Sequence, residues 1–577
     1  MTTPVTGARV LLPLLALLGA CNDDGGEDEI GYTAADTTSS TSESESTSES
    51  STSESSTATT ESTTESTTES TTESTSESTT ESTTESTTES TTDGTTFCDP
   101  GESICMGDDA YVTCVDDGSA YGDEVPCSVS QQCLDGACVE LCVIAELQPS
   151  SIGCSFFAHK MDNFTDAANP QPESPDSIVV GNVSSDNPAT VQLYFMPDGT
   201  NVEQAQGAPV VIQPGGTASL SMTNLPIESV SRLRKGGTYR VQSNVPIVAY
   251  LHSPLQSIAT NDASMLLPEH ALRKNHIVAS YYPWLTNYYP SYFNVIATVD
   301  DTVVNWTPPV VTNAGVGVPL VLAGNTGQVI MDRGDTLQIV ASNHVDVSGT
   351  YVTASEPIAV ISGNEIVNVP AGMKFADHIE EQMLPLDYWG TEYAGPKAPP
   401  RGAEAFHWRI YGGEDGVTVS VAPNQPGFPI NLDRGEWYYF STSANLVFTG
   451  TGPFMPVQYL EGQNEGGLGA TTGDPSMYQM VPTEQFLDHY TFTTGVGYTV
   501  NYVQVIRQLG GPAVYVDGIQ VAGYTTMGNY QVSNWQVSEG THNAFSDAPF
   551  GIVQIGYSPA TSYAYPGGLQ LNEINPQ

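Results

Sequence analysis

The chain has 577 residues, 66 acidic against 15 basic, and a formal net charge of −51. That balance argues against nucleic acid as a partner, since phosphate binding needs clustered Lys and Arg, and against electrostatic docking on anionic lipid. It suits solubility at an exposed cell surface, and the length allows several domains.

Residues 1–20 read as a lipoprotein signal peptide: Arg9, then the apolar run Val10–Leu18, then small residues. The run is too short for a membrane span, which needs about 20 residues. The boundary Leu18-Gly19-Ala20-Cys21 resembles a bacterial lipobox. That resemblance implies cleavage before Cys21 and lipidation of its thiol and new amino group; the alternative is an ordinary secretory signal with an incidental cysteine. With lipidation, the chain is expected in the cell envelope, lipid-anchored at the outer membrane or surface of a Gram-negative bacterium, touching the membrane through its anchor alone. Asn22-Asp23 leaves inner and outer membrane undecided.

Residues 21–36 form an acidic tether. Residues 37–96 are almost entirely Thr, Ser and Glu, with glutamate at every fourth position from Glu61 to Glu89. This stretch has nothing to bury, so it cannot offset its ordering entropy. Like charges four apart would also repel along a helix. It reads as a disordered, self-repelling stalk that reaches at most roughly 200 Å.

Beyond Cys21 the cysteines are Cys98, Cys105, Cys114, Cys127, Cys133, Cys138, Cys142 and Cys154. An even count in an oxidising setting predicts a disulfide-stapled module over 97–142, with Cys142–Cys154 the favoured bridge onto the segment that follows. A zinc site lacks a Cys-x-x-Cys pair or a nearby histidine.

The remainder, 143–577, reads as an all-β head. Phe293–Thr298, Val417–Val421 and Tyr502–Val505 alternate with period two, the pattern of half-buried strands. A unit recurs. Gly237-Thr-Tyr runs to Pro246, Gly349-Thr-Tyr to Pro357 and Gly540-Thr-His to Pro549, with a weaker copy ending at Pro453. Each proline precedes an apolar strand that it can start without needing its N–H. Two copies share a turn, Asp332-Arg333-Gly334-Asp335 and Asp433-Arg434-Gly435-Glu436. The repeat predicts about four β-sandwich-like modules, set in a row or closed into one ring. Connectors with an acidic residue, an apolar cluster and Pro268, Pro385 or Pro482 are expected to pack each module on the next.

Three stretches resemble the N-terminal domain of the IgGFc-binding protein family, as found in secreted and lipoprotein members from bacteria. They are Ser151-Ile-Gly-Cys-Ser-Phe-Phe157; Pro357–Asn364 with Val369-Pro370, Asp377-His378, Glu381-Gln382 and Pro385; and Pro549-Phe-Gly551 with Ser562–Gly568. The resemblance implies adhesion or binding and carries over no catalytic residue. The cysteines that flank the middle signature in animal members are missing here, with Ala376 before Asp377.

The best ligand-binding candidates are Tyr281, Tyr282, Trp284, Tyr288, Tyr289 and Tyr292, aromatics in a Pro/Asn-bounded loop that could stack on a sugar or anchor a protein. The competing reading makes them an inter-module core. Asp377–Glu381 invites a metal or acid–base role but fits a hydrogen-bonded connector better, since the zincin spacing is missing. Arg333-Gly334-Asp335 spells an adhesion tripeptide, although its repeat partner Arg434-Gly435-Glu436 points to a turn requirement. No cofactor is expected; structural calcium could sit at Asp300-Asp301 or Glu414-Asp415-Gly416. No catalytic constellation is recognisable. The expected function is a surface protein whose head binds an extracellular protein or glycan. The alternatives are a displayed hydrolase of polysaccharide or protein, and a passive envelope or matrix component.

Overall fold

Alternating apolar and polar residues become strands throughout the head. In Val417–Ala422 and Thr302–Thr307 every second side chain is buried. The computed structural model describes residues 96–164, 175–256, 260–284, 289–342, 345–464 and 469–577, within one compact unit, Thr92–Gln577. The signal segment, Cys21, the tether and the stalk up to residue 95 lie outside the described residues.

Residues 98–142 form short hairpins held by Cys98–Cys114, Cys105–Cys133 and Cys127–Cys138. A single helix of about two turns, Leu141–Leu147, follows among the described residues. Cys142–Cys154 then staples it to the first strand of the head.

The head consists of four modules with one topology. Each has the same eight strands, to which the fourth module adds a short one, Thr525–Met527, left out of the numbering; in chain order the fifth, second, seventh and eighth make one sheet, and the first, sixth, third and fourth make the other. In the third module these are Glu392–Gly395, Phe406–Gly412, Val417–Ala422, Ile430–Leu432, Trp437–Thr442, Leu446–Gly450, Phe454–Tyr459 and Met477–Gln479. The first, second and fourth modules repeat the pairing, with the sixth and seventh strands fused into Arg232–Ser253, Tyr351–Val367 and Thr541–Ser558. Pro246, Pro357, Pro453 and Pro549 sit where the chain leaves one sheet for the other. There a missing N–H costs no ladder bond.

The ring closes. The eighth strands, Asp262–Met265, Asp377–Gln382, Met477–Gln479 and Thr561–Pro566, touch one another in cyclic order at the centre. The chain ends lock the last module to the first: Ser151 N–H donates to Leu569 O at 3.0 Å, and Tyr250 packs on Tyr565 with ring centroids 4.7 Å apart. Pro268, Pro385 and Pro482 each open a short 3₁₀ turn between modules. Ring packing also corrects two expectations: the stretch beginning at Phe293 is buried on both faces, and Val503, Gln504 and Val505 are buried in succession, so neither strand is half-buried. The outer face of the Phe293 strand is covered by the first module, where Tyr292 OH donates to Asp162 O.

The shared turns are built alike. Asp335 N–H donates to Asp332 O and Glu436 N–H to Asp433 O, both at 2.9 Å. Gly334 and Gly435 take φ of 85° and 77°, where a side chain is strained. Gly435 also lies against Gly349, so a Cβ on it would stand 2.5 Å from Gly349 O. Gly416 shares φ 77° but has open space around it. Gly416→Ala is therefore expected to cost about 1–2 kcal/mol from backbone strain alone, and Gly435→Ala measurably more. Denaturant midpoints of the two variants check this; equal losses would show that the glycine contact carries nothing.

Candidate ligand-binding surface

The junction of the second and third modules is organised by Arg409. It lies in the third module's second strand, Phe406–Gly412, whose residues are all buried, and it reaches out of its own module into the second. Its guanidinium donates to Asp346 Oδ2 at 2.5 Å, Ser280 O at 2.8 Å and Ser348 Oγ at 2.9 Å. Four rings enclose it, at 4.1 Å for Trp437, 4.5 Å for Tyr281, 5.3 Å for Tyr282 and 5.5 Å for Tyr459. Burial alone would favour losing the proton; Asp346 and the Tyr411 and Tyr459 hydroxyls hold the charge in place. Such a pair fixes geometry, and losing either partner would strand a buried charge.

The six aromatic candidates divide around this group. Tyr292 is fully buried and Tyr281 nearly so, which makes both core and removes them as direct ligand contacts. Tyr289 is half-buried and edge-on to Phe164. Tyr282 and Trp284 are 48% and 41% exposed, on a loop pinned by Trp284 N–H to Ile366 O at 3.0 Å. Tyr288 lies outside the described residues.

Tyr282 meets Trp437 edge-on at 6.4 Å, and Trp437 also forms one wall of a cleft of about 810 Å³. Thr307, Pro308, Pro309 and Tyr351 of the second module face Ile430–Leu432, Arg434, Glu436 and Tyr438 of the third. Arg434 stacks over Tyr351 at 5.0 Å. These cleft residues escaped the sequence reading. A signal was there: Trp437-Tyr-Tyr-Phe440 places four aromatics directly after the Arg434-Gly435 turn.

The other candidates are structural. Asp335 accepts from Asp332 N–H and from Asn201, and Arg333 pairs with Glu203 at 3.0 Å, so the Arg-Gly-Asp tripeptide is spent internally. Asp300 accepts from Arg333 N–H at 2.9 Å and Asp415 from Arg434 N–H at 3.1 Å. The acidic turns thus brace the turns beside them. Among the described residues no group of three or more His, Cys, Asp or Glu is placed to hold a metal ion.

Asp377–Gln382 lies on the ring axis. Asp377 accepts from Asn261 N–H at 2.6 Å; Asp262 accepts from Ser476 Oγ at 2.7 Å and from Met477 N–H at 3.1 Å. Burial pushes the carboxyls of Asp262, Asp377, Glu380, Glu381 and Asp474 up; the Asp474 carboxyl raises Asp377 further, while Arg401 draws Asp474 back down in part. Burial likewise lowers His159, His252 and His276 to about 3.

A two-sheet sandwich repeated around an axis, with an aromatic cleft between modules and its clustered carboxyls sealed inside, defines an all-β protein. Residues 262–556 match the family described as IgGFc binding protein, and this chain belongs to that family. The IgGFc-binding protein of Homo sapiens is 38% identical over 74 residues, which is 13% of this chain and only 1% of the human protein. A solved structure titled "Biofilm associated protein - BSP domain" aligns over 72% of this chain and 96% of its own at 7% identity. Its TM-score of 0.12 carries no argument about the fold.

Two outcomes follow from burial. Trp284→Ala should leave the melting temperature nearly unchanged, whereas Tyr292→Ala should cost about 3–5 kcal/mol; thermal unfolding of the two variants distinguishes shell from core. The axis carboxyls keep protons that the unfolded chain releases. Their contribution is complete below about pH 4 and is lost as pH rises through their raised values. The histidines act oppositely, since they must charge as pH falls through about 6.5 toward 3. Stability should therefore decline on the alkaline side, and Asp474→Asn, which keeps the shape without the charge, should flatten that limb. An unchanged alkaline limb in this variant would contradict the role given to the axis.

Proposed function

We propose that this protein is a surface adhesion or binding protein, anchored through lipid on Cys21, whose stalk carries the β head toward an extracellular protein ligand. The observation that supports it best is the exposed pair Tyr282 and Trp284 beside the Trp437 cleft. Aromatic side chains of this kind supply large contact area at low entropic cost and dominate binding interfaces. The hydrolase reading asks for paired carboxylates open to substrate. The paired carboxylates described, Asp377 with Asp474 and Asp162 with Glu365, are closed inside the ring. The family's name supports a protein ligand over a glycan, without extending to immunoglobulin. No helix among the described residues is long and apolar enough to cross a membrane.

Two measurements test this. Cys21→Ser should move the protein from the membrane to the soluble fraction, and a palmitate analogue should label only the wild type. The soluble Cys21→Ser chain, probed on arrays of extracellular proteins and glycans, should capture a protein ligand, and Tyr282→Ala with Trp284→Ala should abolish capture. Capture of glycans alone, or capture indifferent to both substitutions, would overturn the reading.

A further inference from the structure

The fifth strand of each module lies at the edge of its sheet, and the modules differ in what covers that edge. In the second module, Arg232-Leu233-Arg234 from the first runs antiparallel along it, opposite Gln338, Leu337 and Thr336. In the fourth, Thr525–Met527 lies along the start of Tyr530–Val537. In the third, Trp437–Thr442 is the last strand of its sheet and, among the described residues, pairs with Phe406–Gly412 alone. The first module also ends on its fifth strand, Thr217–Ser221, but that edge shows Thr217, Ser219 and Ser221 to solvent and carries no aromatic residue.

An edge strand presents unpaired N–H and C=O groups, and proteins usually blunt it with Lys, Pro or a bulge. The sequence Trp437-Tyr-Tyr-Phe-Ser-Thr442 has no Lys and no Pro, and its register with the neighbouring strand is unbroken. The 810 Å³ cleft runs beside it, walled by Pro308, Pro309 and Tyr351 across the module junction. What fills the matching place in the second module shows what such an edge accepts. Arg232-Leu-Arg-Lys235 puts three of the chain's 15 basic residues in four positions, around one apolar side chain. Leu233 packs on the core there, and Lys235 pairs with Asp332 in the second module's turn at 3.8 Å, while Arg234 pairs with Asp198 of its own module. At the third module, Trp437 and Tyr438 offer the apolar surface, while Glu436 in the cleft and exposed Asp433 in its turn supply two carboxylates against a single cation among the described cleft residues, Arg434, which is stacked over Tyr351 at 5.0 Å.

We propose that Trp437–Thr442 binds an extended basic–apolar–basic segment of the extracellular protein partner by taking it up as a further antiparallel strand. Main-chain bonds to the edge give the affinity; the acidic rim and the aromatic wall select the side chains. This deepens the protein-binding reading given above and rests on it.

The probe is an acetylated, fluorescein-labelled peptide with the sequence of residues 230–237, titrated against the soluble full chain bearing Cys21→Ser. Saturable binding is expected, with slowed hydrogen exchange confined to the amides of Trp437–Thr442. N-methylation of alternate peptide residues, or Glu in place of its Arg and Lys, should each weaken binding at least about tenfold. No binding up to about 1 mM, protection elsewhere on the head, or indifference to N-methylation would overturn the proposal. A head that captures array proteins yet leaves this edge unprotected removes the edge proposal alone. Binding of the peptide at the edge with no array protein captured supports the edge and counts against the adhesion reading.

Discussion

The eighth strands are enclosed on every side, and everything else in the head accommodates that. A buried backbone or side-chain polar group must find a partner or it costs stability; here several partners come from other modules, while Asp377 Oδ2, Glu380 Oε1, Glu381 Oε2 and Asp474 Oδ1 have none among the described residues. Leu267 N–H donates to Gln382 Oε1 at 2.8 Å, Leu384 N–H to Gln479 Oε1 at 3.1 Å, and Gln479 Nε2 to Gln382 O at 2.8 Å. Asp474 N–H donates to Ser562 Oγ at 2.9 Å, which carries the chain of bonds into the fourth module. Each module therefore completes its neighbours' axis strand. A ring satisfies four such strands together, whereas an open row would leave the terminal ones exposed.

With the axis spoken for, variation collects at the rim. The eight-strand topology is constant, and the modules differ in loop length and in how their edges are covered. The second module spends a long segment after Thr307, together with Arg232–Arg234, on closing its side toward the first. The third has only a short loop between Val417–Ala422 and Ile430–Leu432, and the space stays open as a cleft. Arg409 makes that opening stable. By pinning Ser280, Asp346 and Ser348 to the third module, it holds Trp437 and Tyr282 at the surface while the charge itself stays sealed.

Much of the architecture was legible in the sequence because it is local. The prolines at 246, 357, 453 and 549 mark each passage between sheets, the Arg-Gly turns mark the start of the fifth strands in the second and third modules, and the even cysteine count marked the stapled segment. Closure of the ring was not legible, since it depends on Asp262–Met265 meeting Thr561–Pro566 some 300 residues later. Alternation likewise shows that Phe293–Thr298 has two faces and cannot show that another module covers the outer one. The same limit divided the aromatic loop: Tyr281 and Tyr292 look no different in sequence from Tyr282. Arg409, a lone cation between Trp408 and Ile410, gave no signal at all. The family match starts at Asp262, on the first module's axis strand, and stops at Gly556, before the fourth module's.

Native-state hydrogen exchange on the full chain tests the ring most directly. Mutually completed axis strands must open together, so the amides of Asp262–Met265, Asp377–Gln382, Met477–Gln479 and Thr561–Pro566 should share one slowest opening step, coincident with global unfolding. Four separate opening energies, with one module's axis strand exchanging while the others stay protected, would contradict the closed ring.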